Sequence, residues 1–229
     1  MGQLKIRASD SSVRERRETA CKNVLKHLGV KLSDVSLLCF IDDERVGDDD
    51  FEVQKNLRLG AANRGFHVPN VKASLVSGSP PLPACVKGCL LGDAGDVLFQ
   101  SLIYVHGRAC EPEVSLVITF SHELQHFLQR RNFPQACDAD TRLRGLLHSW
   151  QEHPSEHEAM LVSKRVASAL LGDEAVESYI DSKIELSSTS QGDCREDQAR
   201  WEFLRSLRTD CKYDFEAEVV ELVKRHYPH

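Results

Sequence analysis

The chain has 229 residues, of which 41% are hydrophobic and 28% charged, with a formal net charge of −6. That length supports one domain with a substantial core, and the mildly acidic balance argues against a surface built for nucleic acid or an anionic membrane. No run approaches the roughly 18 apolar residues of a membrane-spanning helix, and the opening MGQLKIRASDSSVRERRE lacks the apolar stretch of a secretory signal. Ile6 also breaks the myristoylation pattern. A cytoplasmic protein with no membrane attachment is expected. The eight cysteines, Cys21, Cys39, Cys85, Cys89, Cys110, Cys137, Cys194 and Cys211, are scattered along the chain and are read as reduced thiols.

Residues 11–28 are predicted as a helix, capped by Ser11 or Ser12, with Val13, Ala20, Val24, Leu25 and Leu28 on its apolar face and Gly29 as its stop. VSLLCFI (35–41) has the length and character of a strand. It leads into the charged loop DDERVGDDD and then a short helix over 51–60, ended by Gly60. VKASLV (71–76) is predicted as a strand, SGSPPLPACVKG as a loop and GDAGD (92–96) as a turn. VLFQSLIYV (97–105), rich in β-branched and aromatic residues, is the strongest strand in the sequence. A helix follows over 111–132, EPEVSLVITFSHELQHFLQRRN, with Pro112 in its first turn and Arg130 and Arg131 at its end. After a loop over 134–140, helices are predicted over 141–150, 155–171, 174–186, 195–208 and 214–226. The expected fold is α+β in a single domain over 1–229. Its part over 1–107 carries a small mixed sheet, and its part over 108–229 is mainly helical.

Within the 111–132 helix stands His122-Glu123-Leu124-Gln125-His126, an H-E-x-x-H sequence. Two residues four apart on a helix lie about 40° apart around its axis, so both imidazoles can reach one ion. Neutral imidazole is a good zinc ligand. Glu123 lies further round the helix, placed to act as general base towards a zinc-activated water. Leu116, Ile118, Phe120, Phe127 and Leu128 make this helix strongly apolar and set the pair on the core side of the fold.

A catalytic zinc needs a third protein ligand and an open position. Glu156 and Glu158, in HPSEHEAMLVSKRVASALL, are the natural candidates, with His153 and His157 as rivals. Ser155 reads as the N-cap and Ser155-x-x-Glu158 as a capping box, which would occupy Glu158 and leave Glu156 free. H-E-L-x-H followed by E-x-E-A on a later helix resembles the Glu-zincins (gluzincins), and among them the ImmA/IrrE-type metallopeptidases, over residues 115–171. Ala159, Ala167, Ala169, Leu170 and Leu171 are similar to the family's second helix, whereas Met160 stands where relatives usually have Asn or Asp. The resemblance implies a zincin-like fold, with His122, His126 and Glu156 as metal ligands for Zn2+ and Glu123 as the catalytic residue. It also implies hydrolysis of a peptide or protein substrate. A peptide is expected to add to strand 97–105, read as an edge. Tyr104, His106, Tyr179 and His226 are candidate donors to the developing oxyanion.

Two other readings stay open: a zinc hydrolase of a non-peptide amide, and a non-catalytic zinc-binding regulatory or interaction module. Cys85-x3-Cys89 is too weak a pattern to imply a metal or redox site. The acidic loop resembles a calcium loop around Gly47, but Val46 and Val53 stand where oxygen ligands are required.

Overall fold

The structure is a computed structural model, and it describes residues 1–8, 10–42, 65–78, 82, 84–143, 145–147, 149–189 and 195–227. The acidic loop after Asp42 with its calcium-like spacing, the helix expected over 51–60, and Cys194 lie outside the described residues. The architecture is α+β, with a small mixed four-stranded sheet and a mostly helical remainder. The chain forms two compact units, Met1–Glu123 and Leu124–His229, and the boundary between them falls inside a continuous helix. No described helix is long and apolar enough to cross a membrane.

The first unit holds the sheet. Strand β1 (Gln3–Arg7) is followed by helix α1 (Ser11–His27) and strand β2 (Leu37–Asp42), then by β3 (Gly65–Val68) and β4 (Ser101–His106). The order is β1-β2-β4-β3. β1, β2 and β4 run parallel, and β3 pairs antiparallel with β4. β2 is buried at all of its positions, which is why its sequence is a nearly unbroken apolar run rather than an alternating one. α1 starts at Ser11, so the cap falls one residue before the two serines expected to supply it. Asp10 is the cap, its carboxylate accepting from the Ser12 and Val13 amides. Gly29, at φ 67°, ends the turn beyond it.

One face of the sheet, built from Leu38, Phe40, Leu102, Tyr104 and Val68, packs with Val71, Val86 and Leu90. These last three belong to two helices, α2 (Val71–Ser77) and α3 (Ala84–Leu90), where the sequence pattern predicts a strand and a loop. The physical reason lies in caps and spacing. Asn70 accepts from the Ala73 amide and Gly78 closes α2 at φ 70°. Val71 and Leu75, four apart, then reach the core together, as Val86 and Leu90 do in α3. The GDAGD turn forms as expected, with Gly95 at φ 78°.

The strand expected over 97–105 is shorter, beginning at Ser101, and it is interior rather than an edge. Among the described residues, β3 is the terminal strand on that side. Gly65 and His67 of β3 turn to the face opposite Tyr104, because side chains alternate along a strand. There Gly65 meets helix α4 (Glu113–Asn132), its position lying beside Thr119 Cγ2 and Glu123 Cγ.

The second unit is helical. After the last turns of α4 come α5 (Pro134–Leu143), α6 (Pro154–Leu171), α7 (Asp173–Thr189), α8 (Arg195–Ser206) and α9 (Phe215–His226). α5 replaces the expected loop over 134–140 and ends where the 141–150 helix was to run. Pro134 opens it, since a proline suits the first helical position, where no amide is needed. Ala136, Phe215 and Val219 join α5 to α9 in a small core. The buried Lys164 of α6 donates to the Arg205 and Leu207 carbonyls (both 3.0 Å), closing the C-terminus of α8.

Candidate metal centre

Helix α4 is buried on nearly every side from Ser115 to Leu124, as befits a helix with apolar residues all round. Ser121 fits there because its hydroxyl back-bonds to the Val117 carbonyl at 2.5 Å. His122 is 3% exposed and Glu123 7% exposed. His126, one turn later on the same unbroken helix, and Glu156, in the first turn of α6, are more open, with side chains 18% and 24% exposed. A carboxylate in the first turn of a helix sits at the positive end of its dipole.

One ligand atom from each of His122, His126 and Glu156 can be chosen so that all three lie within 4.8 Å of one another. No fourth His, Cys, Asp or Glu of the described residues joins this group. His126 Nε2 lies 3.6 Å from Glu156 Oε1. Two zinc bonds of about 2.1 Å at a tetrahedral angle span about 3.4 Å, so this pair already stands at bridging distance. The widest separation the group allows, 4.8 Å, has about 1.4 Å to close, within reach of a side-chain rotation. Two imidazoles and a carboxylate form a donor set that suits zinc.

The residues around these three depart from the sequence reading. α6 begins at Pro154, not after it, and its N-cap is His153, which makes no side-chain cap bond. Ser155 is therefore inside the helix. Its hydroxyl donates to Asp140 Oδ2 at 2.5 Å, so the capping box does not form. Glu158 instead accepts on one oxygen from the side-chain amides of Gln125 and Gln129, both at 2.9 Å. His153, buried, lies 3.5 Å from Asp140 Oδ1, and His157 stacks on Tyr213 with ring centroids 4.3 Å apart. Neither joins the metal group. Burial lowers the His157 pKa below its ordinary value, while burial and the nearby Glu218 and Glu158 carboxylates raise that of Tyr213.

The oxyanion candidates lie on β4, α7 and α9. Tyr104 turns to the face away from Gly65, stacks against Phe66 and donates to the buried Asp42 at 3.0 Å. Asp42 also takes both nitrogens of the Arg7 fork, at 2.8 and 2.7 Å. His106 ends β4 in register with Asp42. Tyr179 packs edge-on against Trp201, and His226 is exposed in the last turn of α9. Cys85 and Cys89, half-buried on α3, pack against the sheet core, and Cys89 Sγ accepts from Lys5 Nζ at 3.5 Å.

Three residues around the centre escaped the sequence reading. Gln125 and Gln129 flank His126 on α4, and Gln129 stands three positions after it, a spacing that puts the two on one face. Gly65 carries no signal in its local sequence. No family model, curated protein sequence or solved structure matches this chain.

Proposed function

We propose that this chain is a zinc-dependent peptidase of zincin-like architecture, with His122, His126 and Glu156 as the metal ligands and Glu123 as the general base. The observation that carries the reading is the convergence of those three side chains from α4 and α6 to within 4.8 Å of one another. A zinc ion held there would lower the pKa of a coordinated water towards about 7 and polarise the scissile carbonyl. Glu123 follows His122 on the helix and is turned about 100° from it. That offset keeps its carboxylate out of the ligand set and leaves it to take the proton of the attacking water and deliver it to the leaving amine. Burial around Glu123 excludes bulk water from that transfer. β3 supplies a place for substrate. Among the described residues it is the terminal strand of the sheet, and it starts at Gly65, against Glu123. A peptide pairing with this edge would run past the base with its backbone held in hydrogen bonds.

Purified protein is expected to hold about one zinc per chain. Glu123→Gln should keep the fold and the metal while losing about 100-fold or more of turnover, because an amide cannot accept the proton. Comparing the two proteins on a peptide library measures this directly. Near-normal cleavage by Glu123→Gln, or wild-type protein that takes up no zinc, would overturn the reading.

A further inference from the structure

Gln129 is 1% exposed, and both ends of its amide are engaged. Its Nε2 donates to the Ser155 carbonyl and to Glu158 Oε2, each at 2.9 Å. Its Oε1 faces His126 Nδ1, also at 2.9 Å. The orientation of the amide follows from its partners. Turned over, it would set its oxygen against a carbonyl and a carboxylate, neither of which has a hydrogen to give, and two buried bonds would be lost. Glu158 cannot drift to relieve this, because Gln125 donates to the same Oε2 at 2.9 Å.

With Oε1 fixed towards the ring, His126 Nδ1 must be the nitrogen that carries the proton. Nε2 then keeps its lone pair, and Nε2 is the atom 3.6 Å from Glu156 Oε1. The same amide, through the Ser155 carbonyl, grips the first turn of α6 at the residue before Glu156. Asp140 pins Ser155 a second time, through its hydroxyl.

We propose that Gln129 is the positioning residue of the metal centre: a single buried amide that sets His126 in the Nδ1–H tautomer and anchors the turn presenting Glu156. This rests on the zinc reading above. Glu158 and Gln125 are the brace that keeps the amide from flipping. Ring orientation by a hydrogen bond on the far nitrogen raises ligand basicity and spares the metal the cost of selecting a rotamer and tautomer.

The test uses two readouts. In metal-free, 15N-labelled wild-type protein at a pH where the imidazole is neutral, long-range proton–nitrogen correlations are expected to show His126 protonated on Nδ1. His126 protonated on Nε2 overturns the proposal, whatever the protein does with metal. Gln129→Met, which keeps length and burial but offers no amide, is expected to lose that tautomer preference. It should also bind zinc about 10- to 100-fold more weakly in chelator competition. Wild-type zinc affinity in a folded Gln129→Met protein, with wild-type protein binding zinc normally, defeats this inference and leaves the zinc reading intact. Wild-type protein that binds no zinc defeats both. If Gln129→Met does not fold, the wild-type tautomer still decides.

Discussion

Replacing Gly65 with alanine adds a methyl group where β3 meets α4. The new carbon would stand 2.9 Å from the Tyr104 carbonyl oxygen, 3.1 Å from Thr119 Cγ2 and 3.2 Å from Glu123 Cγ. The carbonyl cannot give way, because Tyr104 lies in β4, which is paired to a strand on each side. Two responses remain. β3 can peel from β4 at its first residue, giving up one or two ladder bonds worth about 0.5–1.5 kcal/mol each. Alternatively, the Glu123 side chain can swing aside. Either response falls in the range of about 1–3 kcal/mol usual for an overpacked site. At about 2–4 °C per kcal/mol for a chain of this size, the melting temperature of Gly65→Ala should fall by roughly 2–12 °C. On the peptidase reading proposed above, turnover on peptides should fall as well while zinc content holds, because the methyl presses on Glu123 and not on His122 or His126. Thermal melting, metal analysis and peptide cleavage on the same preparation check all three parts. A Gly65→Ala protein melting within about 1 °C of wild type, with full turnover, would refute the packing of β3 against Glu123.

Zinc titration should rank the two carboxylates of α6 clearly. Glu156→Ala should leave the site without zinc at concentrations that saturate wild type. Glu158→Ala should bind zinc more weakly but still bind it, and lose about 1–3 kcal/mol of stability as two amides give up their shared acceptor; the opposite ranking would mean that Glu158 is the ligand. Among the cysteines, a thiol-reactive probe at pH 8 should reach the exposed Cys211 well before Cys137, whose thiol burial pushes up to about 11. The raised pKa keeps the unreactive protonated form in place, so labelling of Cys137 should quicken about tenfold per pH unit until the pH nears that value. The buried Cys21 and Cys39 should resist until the protein unfolds; site-resolved mass spectrometry showing Cys39 labelled as fast as Cys211 in native protein would contradict the packing of β2. Lys164→Met should cost about 1–2 kcal/mol by leaving the Arg205 and Leu207 carbonyls without their buried donor, and an unchanged melting temperature would remove Lys164 as the cap of α8.

The H-E-x-x-H helix, the buried strand β2 and the turn before β4 were legible because each is written in local spacing. Four residues along a helix bring His122 and His126 to one face whatever surrounds them. An unbroken apolar run such as LLCFI suits a strand covered on both sides. α2 was not legible, since VKASLV offers the alternation of a strand as well as the four-residue spacing of a helix. Caps at Asn70 and Gly78, and the core that receives Val71 and Leu75, chose between them.

The start of α6 was decided by one residue. Pro154 occupied the first helical position, so Ser155 fell inside the helix and Glu158 lost its expected place in a capping box. The sequence by itself determined that two histidines share a face, that a glutamate stands beside the first of them, and that a second acidic helix follows. Which acid meets His126, what fills the space behind it, and which strand forms the sheet edge are contacts between residues far apart in the chain. Those depend on how α4, α5 and α6 pack and on the order of four strands. Spacing along one element carries no information about either, because the energy that settles them comes from burying apolar faces and satisfying buried amides between elements.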